Sequence, residues 1–169
     1  GFSYKIGAFI IRDAWFKYKQ SVKLFTKAND NMNSAWGVLQ SNRTWLLQNT
    51  GWVRHFKKDD QKERDWHMMW KMIEGGKQSE TGRDNRIRGI LTSKESTALV
   101  GGYNTLVVGD EVGVNPNLLD QIRYVEPSIK AGSLLTGNLI VGGSVGELKD
   151  CEDLRKITYS PKEYGFLGT

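Results

Sequence analysis

Two adjacent carboxylates follow an apolar run near the middle of the chain. The stretch "TLVVGDEVG" places Asp110 and Glu111 directly after Leu106 to Val108, with one glycine between. Open α/β sheets bind their ligands outside the carboxyl ends of the strands, so acids there are candidates for chemistry. One carboxylate can hold Mg²⁺, directly or through water, while the next polarises an attacking water, as in nucleotide hydrolysis. Adjacent acids also occur at strand ends with no catalytic role, and the pair alone leaves both interpretations open.

The first residues combine glycine, a hydroxyl group and the start of a helical pattern. In "GFSYK", Gly1 and Ser3 stand immediately before that pattern. Backbone N–H groups and the helix N-terminus would then face an anion, with Ser3 available to a metal ion. The standard phosphate loop, G-x-x-x-x-G-K-[ST], has a lysine before the hydroxyl residue, where this chain has Phe2. The alternative is that Ser3 only caps a helix.

A third segment, "GNLIVGGSVGE" over 137–147, ends a buried strand in small and hydroxyl residues. Ser144, followed by Gly146 and Glu147, would lie at the same sheet edge as the two acids. A hydroxyl group there can sense whether a γ-phosphate is present. A tight strand-to-helix turn also favours glycine and is the alternative interpretation.

The elements that must position these residues are predicted from hydrophobic periodicity and from glycine and proline breakers. Helices are predicted over 3–19, 30–49, 65–73, 117–130 and from about 147, and strands over 21–27, 86–91, 104–111 and 137–143. The mixed-charge run 55–66 is interpreted as a solvated helix face or a loop, and 75–85 as a loop. Alternating strands and helices with apolar late strands favour one α/β domain, a mostly parallel sheet covered on both faces.

The net charge of +5 is unevenly distributed along the 169 residues. Residues 1–88 carry 17 basic against 9 acidic side chains and all six tryptophans, whereas residues 89–169 carry 7 basic against 10 acidic side chains. A basic half with interleaved aromatics is compatible with polyanion binding. Core or interface packing is the alternative for tryptophans at helical spacing, namely Trp36, Trp45, Trp66 and Trp70.

Composition also excludes several classes of site. Cys151 is the only cysteine, so no internal disulfide forms, and His55 and His67 lack zinc-ligand spacing. The composition does not exclude a metal ion that is bound by oxygen ligands. No stretch approaches the roughly 18 consecutive apolar residues of a membrane span, and the start of the chain lacks a signal-peptide pattern. We therefore expect a soluble, unsecreted protein with no membrane partner.

Taken in order, five segments resemble the ATPase domain of the large terminase subunit, the DNA-packaging motor of tailed bacteriophages and related viruses. They are "GFSYK", "GRDNRIRGI", "LVVGDEVG", "GNLIVGGSVGE" and the closing "ITYSPKEYGF". The resemblance implies a P-loop NTPase fold of the additional-strand type that hydrolyses ATP with Mg²⁺ and translocates double-stranded DNA into a procapsid. It further implies a portal protein and a small terminase subunit as partners, a homo-oligomeric ring, and a location in the host cytoplasm and transiently at the portal.

The resemblance also assigns roles to individual residues. Gly1 and Ser3 match the end of the phosphate loop, Asp110 the metal-side acid and Glu111 the catalytic acid, while 143–146 matches the segment that couples hydrolysis to movement. Ser144 stands where the family usually has threonine. We expect residues 1–169 to be a single, partial ATPase domain that begins inside the phosphate loop, without the nuclease domain of many members.

Two cationic groups of the family pattern have no clear counterpart. Some members place the phosphate-loop lysine early in the loop and an aromatic before the serine, which fits Phe2 and would put that lysine before residue 1. Lys5 is a poorer substitute, one turn into the helix. The segment before the acids, "ALVGGYN", contains no arginine, so Arg86 and Arg88 are the alternatives for an arginine finger, against a role as solvated charges.

Two other functions fit the same residues. A different P-loop nucleic-acid motor, such as a helicase, would share Ser3, Asp110 and Glu111. A non-enzymatic nucleic-acid-binding module would use the basic, tryptophan-rich part directly and leave the acids structural.

Overall fold

The computed structural model describes residues 2–93, 96–144 and 151–166 as a mixed α/β fold. The helices are α1 (Phe2–Phe16), α2 (Asn29–Asn49), α3 (Leu118–Val125) and α4 (Glu152–Tyr159). The strands are β1 (Ser21–Thr26), β2 (Lys58–Asp60), β3 (Asp65–Glu74), β4 (Lys77–Leu91), β5 (Leu106–Gly109), β6 (Lys130–Ala131), β7 (Leu134–Leu135) and β8 (Asn138–Val141). Short 3₁₀ helices cover Ser96–Leu99, Val112–Val114, Glu126–Ile129 and Pro161–Tyr164. None of the helices in these ranges is long and apolar enough to cross a bilayer.

Six strands form the central sheet, in the order β2-β3-β4-β1-β5-β8. Strands β4, β1, β5 and β8 run parallel to one another. Strand β3 pairs antiparallel with both β2 and β4. Because β1, β5 and β8 are parallel and in register, they end together at Thr26, Gly109 and Val141, and we call this edge the acidic rim. Residues that follow these strands are therefore brought together although they are far apart in the sequence.

Helices cover the two faces of the parallel half, as the sequence predicts. Along β1, Val22 and Leu24 pack under α1 and α2, while Phe25 packs on the opposite side with residues of α3 and α4. In β5, Leu106 and Val108 face the first layer and Val107 faces the second. This alternation of side chains on a strand buried on both faces gives two apolar layers with one sheet between them.

The antiparallel half corrects two predictions. Residues 65–73 form β3 rather than a helix, and 75–85 belongs largely to β4 and is not a loop. Gly75 and Gly76, at φ 57° and 75°, make the two-residue turn that joins the strands, a conformation that glycine adopts at low cost. Trp66 and Met68 are buried under the helices at a spacing of two residues, which is a strand period.

The other predicted elements agree with the structure within a few residues, apart from three details. The mixed-charge run contains the short strand β2. The helix predicted over 117–130 ends at Val125 and continues as a 3₁₀ turn that contains Pro127, which fits the helix-breaking effect of proline. The last helix is α4, and its predicted start at about 147 lies outside the described residues. Trp36 and Trp66 pack together in the core, with ring centroids 4.7 Å apart, whereas Trp45 is exposed.

Candidate active site at the acidic rim

Asp110 and Glu111 lie at the acidic rim, directly after β5. The Asp110 backbone N–H donates to the carbonyl of Phe25 at 3.1 Å, so the neighbouring strand β1 fixes the position of this residue. Its side chain is buried, with 3% of the residue exposed. Glu111 has a left-handed backbone, φ 52° and ψ 41°, which is uncommon for a residue with a side chain. The chain thus turns sharply at the second acid and sends the two carboxylates in different directions.

Ser3 reaches Asp110 from the other end of the sequence. Its Oγ donates a hydrogen bond to Asp110 Oδ1 at 3.1 Å. Ser3 lies in the first turn of α1, where backbone N–H groups have no partner within the helix and favour an anion. A hydroxyl group, a carboxylate and a helix N-terminus therefore meet at one point of the acidic rim.

The electrostatic surroundings of Asp110 disfavour its ionised form. Burial raises the pKa of its carboxyl and the neighbouring Glu111 charge raises it further, while the hydrogen bond from Ser3 partly opposes this shift. Within the described part of the chain, no lysine or arginine forms an ion pair with Asp110. A cation that approached this carboxylate would lower its pKa and stabilise its ionised form.

Glu111 is held by the segment that follows β8. Its Oε2 accepts hydrogen bonds from the Ser144 backbone N–H at 3.1 Å and from Ser144 Oγ at 2.6 Å. Two donors on one carboxylate oxygen fix the orientation of the side chain. Any change in the position of Ser144 would therefore be felt directly at Glu111.

Glycines let the two loops of the rim touch through their backbones. A Cβ added at Gly113 would lie 1.9 Å from the Ser144 carbonyl oxygen, and one at Gly143 would lie 2.6 Å from the Glu111 Cα. The Val112 N–H also donates to the Gly142 carbonyl at 3.2 Å. Phe2 packs against this segment, since a Cβ at Gly142 would meet the Phe2 ring at 2.6 Å. The start of α1 and both loops form one tightly packed unit.

Two lysines support the site in ways that the sequence analysis missed. Lys27, just after β1, donates to the Val114 carbonyl at 3.0 Å and so holds the turn that follows Glu111. Lys23, in the middle of β1, donates to the carbonyls of Leu99 and Gly101 at 2.9 and 2.7 Å. Burial and the nearby Arg88 lower the pKa of Lys23 to about 8. A lysine inside an apolar strand was the available signal, but its partners depend on tertiary structure.

The remaining predicted residues are distributed more widely. Gly1, Gly146 and Glu147 lie outside the described residues. Lys5 is exposed on α1, and no described contact joins it to the acids or to Ser144. Arg86, two strands away from β5, binds Asp65 through Nε at 2.8 Å and Nη2 at 2.5 Å. Burial and Arg86 lower the pKa of Arg88, its neighbour on β4. The fold therefore gathers Ser3, Asp110, Glu111 and Ser144 and leaves both arginines on another strand.

The residues at the rim fit a magnesium-bound nucleotide. Mg²⁺ in nucleotide sites is usually held by one or two protein oxygens, with phosphates and water completing the octahedron. The hydroxyl of Ser3 and the carboxylate of Asp110, in direct contact, are such a pair. Among the described residues, no cluster of three or more histidine, cysteine or acidic side chains offers a metal site made of protein groups alone.

Comparisons with known proteins agree with this geometry at the level of the fold. No family model matches the chain, and no curated protein sequence matches it. Among solved structures, a point mutant of the large terminase ATPase domain of Thermus phage P74-26 superposes with a TM-score of 0.65 at 12% identity, covering 88% of this chain and 57% of that one. The chain has the fold of a large terminase ATPase domain. A second structure of that domain gives a TM-score of 0.64 at 11% identity, covering 86% of this chain and 56% of that one.

The HK97 bacteriophage large terminase superposes with a TM-score of 0.56 at 11% identity, covering 98% of this chain and 32% of that structure. The chain thus spans a little over half of the Thermus phage domain and about a third of the HK97 protein. The predicted fold class, α/β with a mostly parallel sheet and helices on both faces, is confirmed by the topology together with these likenesses.

Proposed function

We propose that this chain is the nucleotide-hydrolysing part of a viral DNA-packaging motor. The observation that carries the proposal is the contact between Ser3 and Asp110 beside Glu111, because it joins residues 107 positions apart at the edge where such sheets bind ligands. The likeness to terminase ATPase domains supports the choice of motor. The proposed substrates are ATP and double-stranded DNA, and the proposed partners are further copies in a ring, a portal protein and a small terminase subunit.

Each residue of the rim has a distinct task in this proposal. Ser3 and Asp110 bind Mg²⁺, and the first turn of α1 binds phosphate oxygens through its N–H groups. The ion, when bound, neutralises charge on the phosphates. Glu111 orients a water molecule towards the γ-phosphate and accepts its proton. Asp110 has to be ionised to hold the ion, and a cation bound beside it would favour that state.

Ser144 controls the position of Glu111. Its N–H and hydroxyl group both bind the carboxylate oxygen that would otherwise contact water. In this arrangement Glu111 is turned towards the loop after β8. We propose that nucleotide binding exchanges these hydrogen bonds for contacts with the nucleophilic water, which links the state of the phosphates to movement of residues 142–144.

The test separates nucleotide binding from turnover. In the full-length protein, we expect Glu111→Gln to keep nucleotide affinity and to lower the hydrolysis rate by about 10²–10⁴-fold, the usual contribution of a positioned general base. Phosphate release and equilibrium binding of a fluorescent nucleotide measure the two quantities. Asp120→Asn is the matched control, since Asp120 is an exposed acid on α3 that pairs only with Arg123 among the described residues.

Robust hydrolysis by Glu111→Gln would remove Glu111 from the catalytic role. Absence of nucleotide binding by the unaltered protein would refute the motor as a whole.

A further inference from the structure

A cleft with two arginines lies at the end of α1 away from Ser3. Tyr18, Arg54, Thr81, Gly82 and Arg83 line a space of about 290 Å³. Helix α1 has 15 residues and therefore spans about 22 Å. The cleft thus lies near the amino ends of the parallel strands, whereas the acidic rim lies at their carboxyl ends. Helix α1 connects the two places.

The two arginines are anchored by carbonyl groups at the end of α1. Arg54 donates through Nε and Nη2 to the Trp15 carbonyl at 3.1 and 2.8 Å. Arg83 donates through Nη1 to the Phe16 carbonyl at 2.6 Å, and its guanidinium group lies 4.2 Å from the centroid of the Tyr18 ring. Carbonyls at a helix C-terminus favour cations, which explains why both side chains are held there. Their orientation is fixed before any ligand arrives.

Both guanidinium groups keep donors that these contacts do not use. A guanidinium group has five N–H donors. Arg54 uses three of them, including one to the Val53 carbonyl, and Arg83 uses one. Fixed side chains with free donors lose little further entropy when they bind an anion.

None of the described residues that line the cleft is acidic. The acids nearest along the chain are engaged elsewhere, since Asp84 contacts His67 Nε2 at 2.8 Å, Glu80 pairs with Lys57 at 2.6 Å, and Asp13 pairs with Arg12 and Lys17. Burial lowers the pKa of Arg54, and the nearby charge of Arg83 lowers it further. Two like charges held together at a cost in free energy favour an anion between them.

A bulge in the β3–β4 hairpin creates this arrangement. Met68 pairs with Asn85 but Met69 pairs with Gly82, so the backbone of Arg83 and Asp84 is skipped in the pairing register with β3. Bulges of this kind change the direction of side chains at a strand edge. Here Arg83 contacts the end of α1 while Asp84 contacts β3 through His67.

One exposed aromatic ring, that of Tyr18, lines the cleft, and a second exposed aromatic, Trp52, stands two residues before Arg54 in the sequence. Tyr18 is 65% exposed and Trp52 is 50% exposed, and Trp52 stacks edge-on against Phe16 at 4.8 Å between centroids. Arginines interleaved with exposed aromatics are typical of surfaces that bind nucleic acids. The charge and the unused N–H donors of the cleft suit a phosphodiester group, which is anionic and has several acceptor oxygens.

We propose that the cleft between Arg54 and Arg83 binds a backbone phosphate of nucleic acid, and that the ligand is double-stranded DNA. The choice of duplex DNA rests on the proposed function, whereas the anion site rests on the residues of the cleft alone. Contacts to phosphate carry no sequence information, so binding is independent of base composition. Because the first turn of α1 contains Ser3 and the helix ends at this cleft, DNA held here is joined by one helix to the proposed site of hydrolysis.

The salt dependence of DNA binding tests the proposal in the full-length protein. Affinity for a labelled duplex is measured by fluorescence anisotropy between about 50 and 200 mM salt, where each lost phosphate contact makes the negative slope of log K against log salt shallower by about 0.9. We expect Arg83→Gln to show this loss and to weaken binding several-fold. Arg123→Gln is the matched control, because Arg123 is a 77% exposed arginine on α3. Equal slopes for the two variants would overturn the proposal.

A second pair of variants leaves the anchoring hydrogen bonds intact. Thr81→Glu places a carboxylate in the wall of the cleft, and we expect it to weaken duplex binding, whereas Thr158→Glu on the exposed face of α4 should not. If Arg83→Gln fails to fold, this pair of variants tests whether duplex DNA binds in the cleft. Equal affinities for Thr81→Glu and Thr158→Glu would count against a site in the cleft.

Two further measurements separate the sources of phosphate and the two proposals. Thermal shift with inorganic phosphate shows whether free phosphate occupies the cleft. A loss of that shift in Arg83→Gln without any change in duplex binding would reject DNA as the ligand. Nucleotide binding should be unchanged in Arg83→Gln. If the unaltered protein binds no nucleotide but Arg83→Gln still changes the salt dependence of duplex binding, the motor is refuted and the cleft remains a nucleic-acid site.

Discussion

Each half of the central sheet buries one aspartate, and the surroundings of the two carboxylates differ. In the antiparallel half, Asp65 binds Arg86 and also Lys58, whose Nζ lies 3.2 Å away. Burial alone would raise the pKa of Asp65, but hydrogen bonds from Arg86 and Lys58 outweigh it and lower the pKa. In the parallel half, Asp110 has Ser3 as its side-chain partner and Glu111 beside it, and its pKa is raised.

The difference distinguishes an acid with a permanent partner from an acid that awaits one. Asp65 is neutralised within the fold and connects β2, β3 and β4. Asp110 is buried at a comparable depth, yet its surroundings disfavour its charge. The ionised form of such a carboxylate does not stabilise the fold, and a buried acid with a raised pKa in a cleft or at a strand end is a candidate for binding or catalysis.

The packing of the acidic rim provides the prediction with the largest effect on stability. Gly113→Ala would place a methyl group against the Ser144 carbonyl, and we expect a loss of about 1–3 kcal/mol in the free energy of unfolding. Because Ser144 holds Glu111, nucleotide turnover should fall as well. Chemical denaturation and phosphate release measure the two effects.

Gly37→Ala is the control for that change. Gly37 lies in α2 with open space around its Cα, so alanine there should stabilise the protein by about 0.5–1 kcal/mol through helix propensity. Equal effects of the two substitutions would show that the rim tolerates an added side chain and is not tightly packed.

The two aspartates should respond in opposite directions to removal of their charge. Asp65→Asn takes the carboxylate from Arg86 and Lys58, and we expect it to cost about 1–2 kcal/mol at neutral pH, because those cations are partly exposed and recover some hydration. Asp110→Asn keeps the shape of the side chain and removes the repulsion from Glu111. We expect its free energy of unfolding to equal or exceed that of the unaltered protein. Destabilisation by both substitutions to the same extent would abolish the contrast.

The pH dependence of unfolding sharpens the same contrast with a smaller effect. The pKa of Asp65 is lowered by folding, so its stabilising contribution is present above the usual aspartate range and is lost as the pH falls through the folded-state pKa. The pKa of Asp110 is raised, so its contribution is present at acid pH and is lost as the pH rises through the folded-state pKa. Asp65→Asn should therefore flatten the acid limb of the stability curve, and Asp110→Asn should steepen it.

The parallel half could be predicted from the sequence because its signals are local. Apolar runs that end in glycine mark β5 and β8, and the topology of parallel strands then brings the residues after them to one edge. This reasoning located Asp110, Glu111 and Ser144 together, and a helix start at Ser3 added the fourth residue. Their catalytic roles remain predictions.

The antiparallel half was misassigned because tertiary contacts determine it. The run "DWHMMWKMI" places apolar residues at both helical and strand spacings, so its period is ambiguous, and the pairing with β4 resolves it. Gly75 and Gly76 were interpreted as the start of a loop, although two glycines between apolar and polar runs also fit a hairpin turn. No local sequence pattern indicates the bulge that directs Arg83 to α1. The same holds for the hydrogen-bond partners of Lys23 and Lys27.

Thermal unfolding with and without Mg²⁺ and nucleotide tests the central claim, that Ser3 and Asp110 hold one magnesium-bound triphosphate. In the full-length protein, ATP with Mg²⁺ should raise Tm above the value with ATP and a chelator, since ligand at about 100 times its Kd adds about 2.7 kcal/mol of stability. Asp110→Asn should lose this metal-dependent rise, and the exposed control Asp120→Asn should keep it. An equal metal-dependent rise in Asp110→Asn and the unaltered protein would contradict the account.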